Sequence, residues 1–198
     1  MKNSDMVKLS FDKDQIKKFK QEATRGKPYA ERISLALAIR MVSTQVDIFS
    51  ILDEIDYLEG IRSNSRTKNA TQFSHPPLYP LWHKHFTTAK HIAKNIAIRW
   101  NLDGKGNKDL AKMIGGVAKD CGNDLGKWPA ILADRLVVEG FKERCKFGMT
   151  GHWIIYSQYK GQNFYLDIAT HEEGKNPDQL YEKLRKGCDA EFPFIFNM

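Results

Sequence analysis

Apolar positions recur at helical spacing through most of the first two-thirds of this chain and switch to alternation towards its end. Phe11, Ile16, Phe19 and Ala23 form a first stripe, with Ser10 or Asp12 as cap and Gly26 as stop. From Ala30 to Leu58 no Gly or Pro intervenes, and Ile33, Leu37, Met41, Val42, Ile48, Ile51, Leu52 and Ile55 predict the longest helix. Residues 61–80 are polar and basic, then rich in proline, which predicts a lid or binding loop. Helical spacing resumes over Leu81–Trp100 and breaks at Gly104 and Gly106. It restarts at an Asn107 cap with Leu110, Met113, Ile114 and Val117 inward, and again from Pro129 to Gly140.

Past Gly140 the pattern alternates, and Gly151–Thr170 reads as a β-hairpin turning at Lys160 and Gly161. Asn176 and Pro177 open a further helix that Gly187 closes, and Phe192–Phe196 reads as a last strand. The expected fold is α+β, a mainly helical N-terminal two-thirds packed on a small C-terminal antiparallel sheet drawn from residues 141–198. A length of 198 residues suits a single domain. Residues 1–60 either join its core or stand off as an appendage.

Lys and Arg outnumber Asp and Glu by 31 to 24, a formal charge of +7, which favours an anionic partner or simply keeps the protein soluble. Three cysteines, Cys121, Cys145 and Cys188, fit neither a disulfide framework nor a zinc knuckle and read as reduced thiols of a cytoplasmic protein. The first residues carry no secretory signal, no stretch approaches the roughly 20 apolar residues of a membrane span, and no membrane partner is expected. There is no glycine-rich phosphate loop, and no cofactor or metal is expected.

The histidines carry the candidate chemistry, because imidazole exchanges protons near neutral pH. On a helix over Leu81–Trp100, His85 shares the core side with Trp82 and Phe86, while His83, Lys84, Lys90, His91 and Lys94 form a basic face. Arg62, Arg66 and Lys68 add charge from the preceding loop, and Phe73, Tyr79 and Trp82 are candidates to stack a base. If Tyr159 pairs with Gln162, Trp153, Ile155, Leu166 and Ile168 share the core face of the hairpin. His152, Tyr156, Tyr165, Asp167 and His171 then share the other.

Two imidazoles beside phenols and lysines suit metal-independent cleavage of RNA, which needs a base, an acid and a cation at the phosphate. In that expectation His152 and His171 move protons, assisted by His83 and His85. Tyr165 or Tyr156 orients the phosphate, and Lys84, Lys90, His91, Lys94, Arg62, Arg66 and Lys160 bind the substrate. The layout resembles, in architecture alone, small bacterial RNA-cleaving toxins, which implies a toxin-like protein with an inhibitor or antitoxin partner. Two alternatives stand beside it. One is a nucleic-acid-binding or protein-interaction module without catalysis, and the other is NAD-dependent ADP-ribosyl transfer using His152, a tyrosine and Glu173.

Overall fold

The computed structural model describes residues 12–43, 47–102, 104, 108–124 and 126–197. Four antiparallel strands form one sheet in the order β1 (Thr71–Gln72), β2 (Trp82–Phe86), β3 (His152–Tyr159) and β4 (Gln162–Ala169). The fold class is α+β as expected, but two of the strands precede residue 100 and helices also follow the sheet.

Helices α1 (Lys13–Ala23), α2 (Leu35–Ser43) and α3 (Ile48–Leu58) cover one face of the sheet. Tyr29, Ile33, Leu37, Met41, Ile51 and Ile55 share a core there with Phe86, Ile154, Tyr156, Tyr165 and Ile168. These helices are therefore built into the core rather than standing off from it. The single helix expected over Ala30–Leu58 is divided because two of its polar residues act as caps. The Ser34 hydroxyl accepts from Leu37 N–H at 2.9 Å and donates to the Leu166 carbonyl, and the Asp47 carboxylate accepts from Phe49 N–H at 3.1 Å. Asp12 caps α1 in a reciprocal box with Gln15, while Ser10, Phe11, Gly106 and Asn107 lie outside the described residues.

The other face is covered by α8 (Pro177–Cys188) and α9 (Pro193–Phe196), through Leu180, Leu184, Cys188 and Ile195 against Ile155, Leu166 and Ala169. Phe192–Phe196 is thus the start of a short helix and not a strand, because Pro193 suits a first turn, where an amide proton has no partner. Between β2 and β3 the chain leaves the sheet for residues 87–151. It forms α4 (Ile92–Arg99), α5 (Lys108–Cys121), α6 (Trp128–Ala133), a π-helical segment (Asp134–Glu139) and α7 (Gly140–Phe147) around Trp100, Met113 and Val117. Ile114, expected inward, is exposed.

The largest departure is β2. Trp82–Phe86 is a central strand, not the start of a helix, and its alternation sends Trp82, Lys84 and Phe86 to the α1–α3 face and His83 and His85 to the other. The loop over residues 61–80 is not a free lid. Arg66 and Lys68 exchange backbone bonds with Met149, Thr71–Gln72 pairs with β2, and Phe73 N–H bonds to Leu81. All three cysteines are free thiols, and among the described residues no helix is long and apolar enough to cross a membrane.

Candidate functional site

Two features of the sheet assemble the histidines. The first is alternation along β2, which places His83 and His85 on one face with ring centroids 5.8 Å apart. The second is a bulge in β4. The turn sets Tyr159 opposite Gln162 as expected, but Tyr156 faces Tyr165 while Ile155 faces Asp167, leaving Leu166 as an extra residue. Every β4 residue beyond Leu166 is therefore shifted by one. Asp167 moves to the α8 side, where Arg40 and Lys183 pair with it at 3.1 and 3.4 Å, and Ile168 moves into the α1–α3 core. His171 follows Asp167 and comes to rest 5.4 Å from His85 and 4.8 Å from Trp153.

Trp153 is the common wall of this cluster, touching His83 at 4.9 Å and His85 at 6.3 Å, and Phe73 closes it 4.7 Å from His83. The approach of β2 depends on Gly151, since a Cβ there would sit 1.9 Å from the Phe86 carbonyl oxygen. His85 Nδ1 lies 3.1 Å from the Gly151 carbonyl oxygen and 3.3 Å from the Gly151 amide nitrogen, donating to the first in one tautomer and accepting from the second in the other. Burial pushes both His83 and His85 down to about 4, and His83 Nδ1 has no hydrogen-bond partner among the described residues.

A second histidine pair stands at the same end of the sheet. His152 opens β3, and its ring lies 4.5 Å from that of His91, edge to face. His91 Nδ1 accepts from Thr88 N–H at 3.0 Å, which puts its proton on Nε2. Burial lowers the pKa of His91, His152 and His171, and the Lys94 charge lowers all three further. Lys90 adds to this at His91 and His152, and Lys68 at His85 and His171. His83, His85 and His171 therefore share the α8 face, whereas His152, opposite Phe86 with the rings 5.9 Å apart, belongs by alternation to the α1–α3 face at the same end of the sheet. The common face expected for His152 and His171 is lost to the bulge at Leu166, and the Lys94 charge reaches both rings.

Other predicted members lie elsewhere. Tyr156 and Tyr165 are buried in the α1–α3 core, and the Tyr165 hydroxyl donates to Glu59 at 2.7 Å. Burial pushes Tyr156 up to about 12 and Tyr165 higher still, so neither meets solvent or substrate. Lys84 is 0% exposed on that same face and donates to Ser65 Oγ, Thr67 Oγ1 and the Lys68 carbonyl at 2.7–2.9 Å, with Glu54 at 3.1 Å. It is a structural cation, not a substrate contact. Arg62 pairs with Asp53 beside a cavity of ≈ 240 Å³ that Arg66 and Glu54 also line, where carboxylates offset the arginines. Lys160 is exposed at the hairpin turn, eight residues along β3 from His152 and so roughly 25 Å from the histidines. Trp82 stacks on Tyr156, and Glu173 is committed to Lys183 at 2.7 Å and Thr170 N–H at 2.7 Å.

Sequence reasoning missed the shared face of His83 and His85, the role of Trp153 as a wall and the need for Gly151. Alternation within WHKHF was the available signal, obscured because its core-side face carries Lys84. Among the described residues no group of three or more His, Cys, Asp or Glu is placed to hold a metal ion. No family model, curated protein or solved structure matches this chain.

Proposed function

We propose that the protein is a metal-independent ribonuclease in which His152 and His171 exchange protons with an RNA phosphodiester held by Lys94 and Lys90. The observation that carries this reading is the pair of histidine dyads, His91–His152 and His85–His171, one from each face at the same end of the sheet, with His91, His152 and His171 all in the field of Lys94. One imidazole takes the proton of the ribose 2′-hydroxyl as its oxygen attacks phosphorus. The bond from phosphorus to the 5′-oxygen breaks, and the other imidazole, protonated, supplies the leaving oxygen with its proton. The products are a 2′,3′-cyclic phosphate and a 5′-hydroxyl, and no metal or water enters the step. His85 and His91 pack against the rings of their partners, with centroids 5.4 and 4.5 Å apart, and so restrict how those rings turn.

The lowered pKa values keep the rings neutral at pH 7, so the base is ready and the acid is the scarce form. A bell-shaped rate profile is expected, with its maximum on the acid side of pH 6.5. Labelled single-stranded RNA incubated with chelator present tests the assignment. His152→Ala and His171→Ala should each lower cleavage by about 10²–10⁴-fold while retaining RNA binding. Undiminished cleavage by the double variant refutes the roles. Salt-sensitive RNA binding without turnover by the wild-type protein would favour a binding module instead.

A further inference from the structure

Beside the histidines the 65–69 loop and the end of α7 enclose a groove of ≈ 380 Å³, lined by Ser65, Thr67, Lys68, Asn69, Lys146 and Phe147 among others. Its lining carries two lysines and no carboxylate, in contrast to the cavity beside Arg62. Lys68 and Lys146 form no ion pair among the described residues, and Phe147 is 73% exposed with no ring against it among them. The walls are fixed to each other: Lys68 N–H donates to Met149 O at 3.2 Å and Met149 N–H to Arg66 O at 2.8 Å. Gly148 lies so near Lys68 that a Cβ would meet its backbone at 3.0 Å. A groove held in this way loses little entropy on receiving a ligand. The carbonyl end of α7 works against an anion, but Arg144 takes the Gly148 carbonyl at 3.0 Å and Lys146 stands in the same turn.

We propose that this groove is a subsite for one unstacked nucleotide of single-stranded RNA, its phosphate between Lys68 and Lys146 and its base on the Phe147 ring. The inference rests on the ribonuclease reading for the identity of the polymer, and Lys68 links the two places because its charge also reaches His85 and His171. A base in a duplex cannot lie on Phe147, so the substrate is single-stranded, and the volume suits a nucleotide.

Equilibrium binding of a short labelled oligouridylate, and of a duplex of equal length, to the full chain carrying His171→Ala tests the subsite without cleavage intervening. Adding Phe147→Ala should weaken single-strand binding about 5- to 140-fold and leave duplex binding within twofold. Phe147→Trp should restore it. Lys68→Gln with Lys146→Gln should lower the slope of log affinity against log salt by about 1.4. Single-strand binding within twofold of the parent after Phe147→Ala, or equal preference for duplex, overturns the subsite even if the wild-type protein cleaves RNA. Phe147-dependent binding by a protein that never cleaves keeps the subsite and removes the ribonuclease reading. Absence of any binding removes both.

Discussion

Lys84 sits without solvent among four oxygen partners on the sheet face opposite the histidines it separates in sequence. Burial pulls its pKa down and Glu54 pushes it back up, so the pair is held by mutual need. Lys84→Met takes the cation from the buried Glu54 carboxylate and leaves it the Ser65 hydroxyl alone, and should cost about 3–5 kcal/mol in urea unfolding. The double change Glu54→Gln with Lys84→Met should recover more than half of that loss. A double variant no better than the single would place the penalty in lost packing and not in the orphaned charge. On the other face, His83 and His85 titrate at about 4 when folded against an ordinary 6.5. As pH falls from 6.5 towards 4 the unfolded chain takes up protons first, so the stability these rings contribute is full above 6.5 and is lost through that window. His83→Gln with His85→Gln should flatten the fall in urea midpoint between pH 7 and pH 4.5, and an unaltered slope would assign the fall to carboxylates alone.

At the scale of elements, local chemistry was legible and long-range chemistry was not. The hairpin could be read because alternation meets a turn at Lys160 and Gly161, whose φ values of 49° and 76° are those of a two-residue turn with both centres left-handed. The bulge at Leu166 leaves no local trace. It reassigns Asp167, Ile168 and His171 because Arg40 and Lys183, distant in sequence, hold Asp167 on their side. Likewise the sequence of β2 lacks a strand's apolar alternation because its core-side face includes a lysine whose partner, Glu54, belongs to α3. The π-helical segment has an equally non-local cause. Trp100 Nε1 donates to the Leu136 carbonyl at 2.7 Å, capturing the acceptor that an α-helix would give to Gly140 N–H. A Cβ on residue 140 would lie 2.5 Å from that indole nitrogen. Gly140→Ala should therefore destabilise the insertion by about 1–3 kcal/mol. Faster amide exchange should be confined to α4–α7 and spare the β3–β4 hairpin, whereas uniform acceleration would mean that the insertion and the sheet open together.

Over the whole molecule, charge is unevenly distributed. Residues 87–151 hold twelve Lys and Arg against seven Asp and Glu, so this insertion carries most of the formal +7 of the chain. It leaves the sheet after β2 and returns before β3, which is the end where the histidines gather. Lys90 and Lys94 at its start stand with Lys68 around the histidines, and Lys146 at its close lines the adjoining groove with Lys68, although the four are far apart in sequence. Each cation that neutralises a phosphate of a single strand releases about 0.7 counterion, so four lysines give a slope of log affinity against log salt near about −3. Lys90→Gln with Lys94→Gln should reduce that slope by about 1.4 and slow association at low salt, leaving the unfolding free energy within about 0.5 kcal/mol because both side chains are exposed. The same pair of changes should shift the rate maximum towards higher pH, since both lysines lower the pKa of His91 and His152 and Lys94 lowers that of His171. If the slope fell while the rate maximum stayed in place, Lys90 and Lys94 would be binding RNA away from the reacting phosphate, and the dyads would lose the cation on which their proposed chemistry depends.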